Sequence, residues 1–224
     1  MELRSIDFAD PTVGQVIARP GLRLGYDPQV KRLLDLILAS VGLLLSLPIW
    51  LIIGIAIKLD SKGPVVFVQE RVGLHGRTFR FLKFRSMYND AEERLQDLLA
   101  ENEASGPVFK IRRDPRITRV GRFIRRTSLD ELPQLLNILK GEMSLVGPRP
   151  ALLRETESYR PSDRVRLEVK PGLTCLWQVR GRSEVDFDTW MEFDREYVGR
   201  RSLFLDLEIL VRTVGVVLAC RGAY

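Results

Sequence analysis

The sequence predicts an α+β, mainly helical protein with one re-entrant membrane helix, a small folded domain beside it and interfacial amphipathic helices. Three observations predict this class. The residues from Leu33 to Ile57 are almost entirely apolar. A segment rich in β-branched and aromatic residues follows over 64–87, and apolar residues then recur at helical spacing. The predicted divisions are an irregular arm over 1–28, a helix-bend-helix over 29–60 and a domain over 61–224.

Composition narrows the classes of partner. The chain has 224 residues, and 35 Lys and Arg against 29 Asp and Glu give a formal charge of +6. Such a chain favours polyanions, which include nucleic acid, anionic lipid headgroups and phosphorylated substrates. Its two cysteines, Cys175 and Cys220, and its single histidine, His75, have no metal-binding spacing. We therefore expect neither a zinc site nor a disulfide framework. The cysteine usage fits a reducing compartment.

The apolar run is long enough to enter a membrane, since as a helix it would measure roughly 37 Å. Lys31 and Arg32 precede it, and seven basic residues follow between 58 and 85. Because positive charge near a membrane segment tends to stay cytoplasmic, both ends are predicted to lie on the same side. Its only polar side chains are those of Asp35, Ser40 and Ser46.

A break is predicted in the middle of this run. Pro48 has no N–H for the carbonyl of Leu44, and its ring crowds the preceding turn, so the helix should bend there. Ser46 could donate its hydroxyl to a carbonyl freed nearby. These residues favour a re-entrant hairpin that dips into the cytoplasmic leaflet and returns. A kinked single span remains the alternative.

The next segments predict two strands, an acidic helix and a basic helix. The strands flank a turn over 73–76 that contains His75, and the acidic helix covers 90–104 with Asp90 as its N-cap. In 110–126, eight of seventeen residues are basic. One predicted helix face carries Arg116, Arg119, Arg122 and Arg126, and another carries Ile117, Val120 and Ile124.

This pattern is typical of a helix that lies on a membrane or grips phosphates. A DNA-binding helix is the competing interpretation, but it does not explain the apolar run.

The last third of the chain presents further arginines. Two prolines flank Arg149 and stiffen the backbone around it, and a glycine-interrupted loop carries Arg180 and Arg182. Two helices follow. The first, over 187–198, places Trp190, Phe193 and Tyr197 on one face. The second, over 202–219, contains charged residues and is predicted to be a core or interfacial helix rather than a span.

Two adjacent carboxylates, Asp130 and Glu131, allow two interpretations. Ser128 and Glu131 have the spacing of a capping box, with Asp130 adding favourable charge at a helix N-terminus. Alternatively the two side chains, which diverge by about 100° on a helix, do chemistry. One could attack a phosphorus atom while the other binds metal or handles protons. Such an attack needs Mg²⁺ and arginines to neutralise the phosphoryl oxygens.

Several long motifs together resemble the bacterial sugar transferase family, over roughly residues 29–224. These proteins are monotopic phosphoglycosyl transferases that start glycoconjugate assembly on undecaprenyl phosphate. The motifs that carry the resemblance are KRLLDLILASVGLLLSLPIW, FVQERVG, FRFLKFRSM, DPRITRVGRFIRRTSLDELPQLLNILKGEMSLVGPRP, KPGLTCLWQV and LDLEILVRTV.

The resemblance implies a monotopic protein of the bacterial inner membrane, with a re-entrant helix and a cytoplasmic catalytic domain over 61–224. It implies Mg²⁺-dependent transfer of a sugar-1-phosphate from a UDP-sugar to undecaprenyl phosphate, which releases UMP. The reaction passes through a covalent phosphosugar on aspartate and begins exopolysaccharide or O-antigen synthesis. The style of the motifs favours a hexose, galactose or glucose.

Carried over to this sequence, the resemblance makes Asp130 the nucleophile and Glu131 its partner in metal binding or proton handling. Asp130 and Glu131 are the candidate metal ligands. Other matching positions are the phosphate-binding Arg149 and Arg182, and Ser46 and Pro48 at the helix break. Arg126 of the basic segment is a further candidate for binding substrate phosphate. Here Leu47 separates the serine from the proline, whereas some relatives have them adjacent.

The expected partners are the UDP-sugar, undecaprenyl phosphate and inner-membrane lipid, without nucleic acid. The oligomeric state stays open, a homodimer being one option. Two alternatives remain. One is a membrane-tethered basic protein that binds nucleic acid or lipid without catalysis. The other is a scaffold for a polysaccharide complex that has lost its activity.

Overall fold

The computed structural model describes residues 27–181 and 185–219. Nearly all of the predicted arm over 1–28 lies outside these ranges, as do Arg182 and Cys220. The α-helices are α1 (Pro28–Asp60), α2 (Arg119–Arg126), α3 (Gln134–Lys140), α4 (Leu153–Glu157), α5 (Leu176–Arg180), α6 (Phe187–Arg200) and α7 (Leu203–Leu218). The strands are β1 (Val66–Val72), β2 (Thr78–Phe84), β3 (Ser144–Val146) and β4 (Gly172–Thr174), and 3₁₀ turns cover Leu74–Gly76, Glu93–Glu101, Leu129–Glu131 and Pro161–Glu168.

Helix α1 contains the whole apolar run. Asp27 caps it by accepting from the amide of Gln29 at 2.8 Å, and Pro28 follows at a position that needs no N–H donor. The helix continues through Pro48, so two separate helices do not form. The Ser46 hydroxyl donates to the carbonyl of Leu43 at 3.0 Å and accepts from the indole of Trp50 at 3.2 Å.

One stripe of α1 faces the rest of the protein. The stripe consists of Asp35, Ala39, Ser46, Ile53 and Ile57, which are buried and recur at helical spacing. Most other side chains of the helix are large, apolar and exposed, and only 17% of its most apolar stretch is buried. By length and composition α1 is the one helix in the described residues that could cross a membrane.

Polar contacts hold α1 at both ends. Near its start, Arg32 donates to the carbonyls of Ile138 at 2.6 Å and Leu139 at 2.9 Å. The Asp35 carboxylate accepts from the Ser144 hydroxyl and the Leu145 amide. At the other end, Asp60 accepts from the Val120 amide at 2.9 Å, and Arg85 donates to the carbonyls of Ser61 and Lys62.

The predicted strands form an antiparallel hairpin, with Val66 opposite Phe84 and Val72 opposite Thr78. The turn over 73–76 is confirmed, and both His75 (φ 54°) and Gly76 (φ 75°) adopt left-handed backbone there. Strands β3 and β4 form a separate parallel pair with Ser144 opposite Gly172. The main core lies between this pair, helices α1, α3, α5, α6 and α7, and Phe81 of the hairpin.

The basic segment is less helical than its spacing predicts. Helix α2 begins only at Arg119, after Thr118 caps it by accepting from the Gly121 amide at 2.9 Å. Arg116 lies before the helix, buried in an ion pair with Asp114, and it also donates to the carbonyl of Ala91. Arg116 therefore does not belong to an exposed basic face. A local ion pair with a buried carboxylate outweighs the helical spacing here.

The acidic segment differs from its prediction, whereas the first of the two C-terminal helices agrees with it. The acidic segment is a 3₁₀ turn over Glu93–Glu101 that buries only Leu95, and Asp90 is not its cap. The shared aromatic face of α6 is confirmed, since Trp190 and Tyr197 are buried. The Tyr197 hydroxyl donates to Asp206 of α7, which also pairs with Lys31. This contact joins α1, α6 and α7.

Candidate active site

A cleft of about 420 Å³ opens between the hairpin, the turn before α3 and the loop before α4. Three of the four described residues that sequence analysis assigns to chemistry lie on its wall, namely Asp130, Glu131 and Arg149. The lining also includes Arg71, Lys83, Arg85, Arg125, Gln134 and Trp177. Cationic side chains therefore surround both carboxylates.

The backbone at the carboxylates does not form the capping box. Ser128 adopts left-handed backbone (φ 57°), and its side chain makes no cap hydrogen bond. The chain then makes one 3₁₀ turn, Leu129–Glu131, before α3 begins three residues later. The Glu131 side chain instead contacts Lys83. The structural interpretation of these residues as a helix cap is therefore wrong.

Asp130 lines the cleft and is buried, with 6% of its surface exposed. The Lys83 ammonium on β2 lies 3.4 Å from Asp130 Oδ2 and 2.8 Å from Glu131 Oε1, so one cation bridges both carboxylates. Burial raises the pKa of Asp130 above its ordinary value, and the nearby Glu131 raises it further. Lys83 and Arg125 oppose that rise. The site thus holds a poorly solvated carboxylate beside two cations. A buried carboxylate with a shifted pKa in a cleft is typical of a functional site.

The arginines separate into those on the cleft wall and those outside it. Arg125 lines the cleft, and burial lowers its pKa while the charge of Asp130 opposes the change. Its neighbour Arg126 is exposed and does not line the cleft, so the structure does not bring this predicted phosphate-binding residue to the site. Arg182 lies outside the described residues. Arg180 is exposed and pairs with Glu196.

Arg71 and Arg149 supply further positive charge on the cleft lining. Arg71 is 7% exposed, and burial together with the charge of Arg149 lowers its pKa to about 9. Arg149 is half-buried, with its guanidinium 5.6 Å from the centre of the Trp190 ring. Two like charges held together in this way favour an anion between or beside them.

Lys83, Arg71 and Arg125 are site residues that sequence analysis did not single out. For Lys83 the available signal was a charged side chain between apolar neighbours, in the FLKF stretch. Arg71 had no such signal, because it follows Gln69 and Glu70. For Arg125 the local sequence gave no means of preferring it to Arg126. Both residues end the same short helix.

The carboxylates suit a magnesium ion that is completed by substrate. In the described residues no group of three His, Cys, Asp or Glu side chains could enclose a metal. Mg²⁺, however, usually binds through one or two carboxylates together with substrate phosphates and water. Asp130 and Glu131, both held by Lys83 on the cleft wall, provide such a pair. The donor set therefore fits Mg²⁺ in the presence of a phosphorylated ligand.

The fold and the cleft together define a class of protein. A long apolar helix is joined to a small α+β domain whose cleft combines a buried carboxylate with several cations. This combination is typical of proteins that handle phosphorylated substrates at a membrane.

Comparison with known proteins identifies the family. Residues 26–220 match the model of the family described as bacterial sugar transferase. The chain therefore belongs to the bacterial sugar transferase family, which confirms the resemblance in the motifs.

Individual relatives are similar over most of this chain. It is 47% identical over 194 residues to the galactosyl transferase CpsE of Streptococcus agalactiae, covering 86% of this chain and 43% of that protein. It is 46% identical over 199 residues to the undecaprenyl-phosphate galactose phosphotransferase of Salmonella typhimurium, covering 87% and 42%. It is 43% identical over 198 residues to the exopolysaccharide production protein ExoY of Rhizobium meliloti, covering 87% and 88%. The chain thus spans less than half the length of the first two relatives.

Proposed function

We propose that this protein transfers a hexose-1-phosphate from a UDP-sugar to undecaprenyl phosphate, which gives undecaprenyl-diphosphate-sugar and UMP. The observation that carries the proposal is the burial of Asp130 in a cleft beside Lys83 and Arg125. Membership of the family and the names of the relatives support the reaction class. The galactose relatives favour galactose as the hexose, with glucose as the second choice.

The reaction proceeds in two displacements at one phosphorus atom. An oxygen of ionised Asp130 attacks the phosphorus that carries the sugar, a bond from Asp130 to phosphorus forms, and the bond from phosphorus to the UMP oxygen breaks. An oxygen of undecaprenyl phosphate then attacks the same phosphorus, and the bond to Asp130 breaks. The carboxylate is thereby restored, and no oxidant or reductant is needed.

The cleft residues neutralise charge along this route. Lys83 favours the ionised form of Asp130 before attack, and it also holds Glu131. Arg125, Arg71 and Arg149 line the same cleft as Asp130 and are placed to bind phosphoryl oxygens of the two substrates. Asp130 and Glu131 would hold Mg²⁺ together with the diphosphate. When bound, that ion would offset the negative charge of the diphosphate.

We further propose that α1 is re-entrant and that the domain lies on the cytoplasmic face of the inner membrane. Both ends of α1 contact the same domain, through Arg32 at one end and Asp60 at the other. A helix that crossed the bilayer would place one end on the far side from that domain. The exposed apolar side of α1 would face lipid, and the cleft would meet the acceptor headgroup at the cytoplasmic surface.

The reaction is tested by UMP release. Purified protein in detergent or nanodiscs is mixed with undecaprenyl phosphate, Mg²⁺ and a panel of UDP-sugars. We expect UMP release with UDP-galactose or UDP-glucose, a loss of at least about 10³-fold in Asp130→Asn, and little change in Asp97→Asn, an exposed control. Retained activity in Asp130→Asn would remove Asp130 from the role of nucleophile, and no release with any UDP-sugar would contradict the reaction.

Asp130→Asn also has a predicted effect on stability that separates chemistry from folding. Because the pKa of Asp130 is raised in the fold, the ionised side chain destabilises the native state at pH values above the folded pKa. The asparagine variant should therefore melt at a higher temperature than wild type at pH 8. The difference should shrink as the pH falls through the raised pKa, because the wild-type carboxyl then takes up its proton. Differential scanning fluorimetry across pH 5–8 measures it, and a lower melting temperature at pH 8 would contradict the prediction.

A further inference from the structure

The loop that presents Arg149 is held by its carbonyl groups. Four consecutive carbonyls each accept a hydrogen bond, and the donors come from three segments: Pro148 accepts from the Gly172 amide at 2.9 Å, Arg149 from the Arg166 guanidinium at 2.7 Å, and Pro150 and Ala151 from β1, through the Arg71 guanidinium at 3.0 Å and the Val72 amide at 2.9 Å. Since the two prolines have no N–H, the loop cannot be fixed by amide donors at those positions. The carbonyls are its main backbone attachment points.

Arg166 is built into the protein in a way that fixes its direction. It is 3% exposed and pairs with Asp194 at 2.9 Å, and it also donates to the Tyr159 hydroxyl. Asp194 is itself 1% exposed, and burial raises its pKa to about 6 although Arg166 opposes the rise. At neutral pH the pair is therefore charged. Because Asp194, the Tyr159 hydroxyl and the Arg149 carbonyl all contact this buried guanidinium, they hold the Arg166 side chain in one orientation.

The two arginines share one aromatic neighbour. The guanidinium of Arg166 lies 5.4 Å from the centre of the Trp190 ring, and that of Arg149 lies 5.6 Å from the same ring. Trp190 and Asp194 are one turn apart on α6. Helix α6 therefore orients Arg166 through an ion pair and supports the side chain of Arg149 through its indole. Arg166 supports the backbone of Arg149 in turn.

We propose that Arg166, with its ion-pair partner Asp194, is a positioning residue that sets the place of Arg149 in the cleft. The inference rests on the proposed function, because Arg149 is taken to bind a substrate phosphate. Arg166 does not line the cleft and so acts only through the loop. Lysine at position 166 can keep a charge near Asp194 but cannot donate in several directions with a planar fork, so the Arg149 carbonyl would lose its donor.

A double-mutant cycle tests the proposal. The four proteins are wild type, Arg166→Lys, Arg149→Ala and the double variant, and kcat/KM for the UDP-sugar is measured for each. We expect Arg166→Lys to lower kcat/KM by at least tenfold when Arg149 is present and by less than twofold when Arg149 is alanine. An equal loss in both backgrounds would show a merely structural role and overturn the proposal. An Arg149→Ala variant with wild-type kcat/KM would overturn it as well.

Controls keep folding and function apart. Arg164→Lys changes an arginine on the same 3₁₀ turn and should leave kcat/KM within twofold of wild type. If Arg166→Lys does not fold, Tyr159→Phe replaces it in the cycle, because that change removes one partner of Arg166 and leaves its ion pair. Calorimetric binding of UMP by the same four proteins is the second measurement. If the four proteins bind UMP with the expected coupling between positions 166 and 149 but wild type transfers no sugar-1-phosphate, the proposed function alone is contradicted. If wild type is active but the effects of the two substitutions on kcat/KM are additive, this inference alone is contradicted.

Discussion

Asp130 shows how neighbouring cations control a buried carboxylate. Burial raises its pKa, while Lys83 and Arg125 lower it. Removing either cation should therefore raise the pKa further and leave less ionised nucleophile at neutral pH. Lys83 is shared with Glu131 at 2.8 Å, whereas Arg125 approaches from α2 and also lines the cleft. In the proposed reaction, Arg125 would therefore have two roles: to favour the ionised carboxylate and to bind substrate phosphate.

Arg125 and Arg126 form a matched pair for mutation. Both are arginines in the last turn of α2, but only Arg125 lines the cleft, and Arg126 is exposed. We expect Arg125→Ala to lower kcat/KM by about 10²-fold, which is typical for loss of one charge-stabilising donor. Arg126→Ala should stay within about threefold of wild type, because exposed charges contribute little.

The UMP-release assay with both variants checks this prediction, and melting temperatures show that each variant is folded. A larger loss in Arg126→Ala than in Arg125→Ala would reverse the assignment of the two residues. Arg125→Lys gives a further comparison. It keeps the charge but not the fork of donors, so partial activity is expected.

The sequence predicted the residues of this site unevenly, for a physical reason. Asp130 and Arg149 stand in long motifs, and the structure places both on one cleft. Lys83 belongs to a strand whose side chains alternate between faces, but nothing local shows which face meets the turn at Asp130. Likewise, adjacent helical residues point about 100° apart, and the choice between Arg125 and Arg126 depends on which side of α2 packs. That packing is a tertiary property.

Helix α2 owes its position to a close backbone approach at Gly121. A Cβ added there would lie 1.9 Å from the carbonyl oxygen of Ser86, just beyond β2. The same carbonyl accepts from the amide of Thr118, the cap of α2. Glycine therefore allows α2 to lie against the chain that follows β2. This contact sets the distance between Arg125 and the cleft wall that carries Lys83.

Gly121→Ala should destabilise the protein and reduce activity together. The methyl group cannot be accommodated without moving α2 away from Ser86, and overpacking of this kind costs about 1–3 kcal/mol. Gly199→Ala is the matched control, because a Cβ at that position on α6 meets nothing within 4 Å. Alanine there should be neutral or stabilise by up to about 1 kcal/mol. Thermal unfolding of both variants checks the pair, and equal melting temperatures would contradict the proposed close approach.

The elements were predictable where local pattern and tertiary packing agree. The hairpin follows from β-branched and aromatic residues on either side of a glycine turn, and the structure confirms it. The predicted helix in the basic segment is wrong in part, because Arg116 forms an ion pair with Asp114 before the helix begins at Arg119. The parallel pairing of β3 with β4 was not predicted. It joins three-residue strands that are far apart in the chain, so no local period reveals it.

The arrangement of α1 on the domain links membrane attachment to the active site. The helix is roughly 50 Å long, well beyond the thickness of a hydrocarbon core. Its buried stripe contacts the domain from Asp35 to Ile57, and its outer side exposes large apolar residues along the same length. Trp50 packs edge-on against Phe84 at the end of β2, the strand that carries Lys83. Depth of α1 in lipid should therefore set the height of the cleft at the membrane surface.

Labelling of single cysteines decides whether both ends of α1 lie on the cytoplasmic side. The variants Gln29→Cys and Lys62→Cys, at exposed residues close to the two ends, are made in a chain that lacks Cys175 and Cys220. Because Arg32 and Asp60 tie both ends to one domain, neither cysteine should react with a membrane-impermeant maleimide in intact spheroplasts. Both should react after lysis, and a periplasmic cysteine protein serves as the positive control for intact cells. Reaction of one position in intact spheroplasts would establish a crossing helix, and it would then require the contacts at that end of α1 to be absent in the membrane.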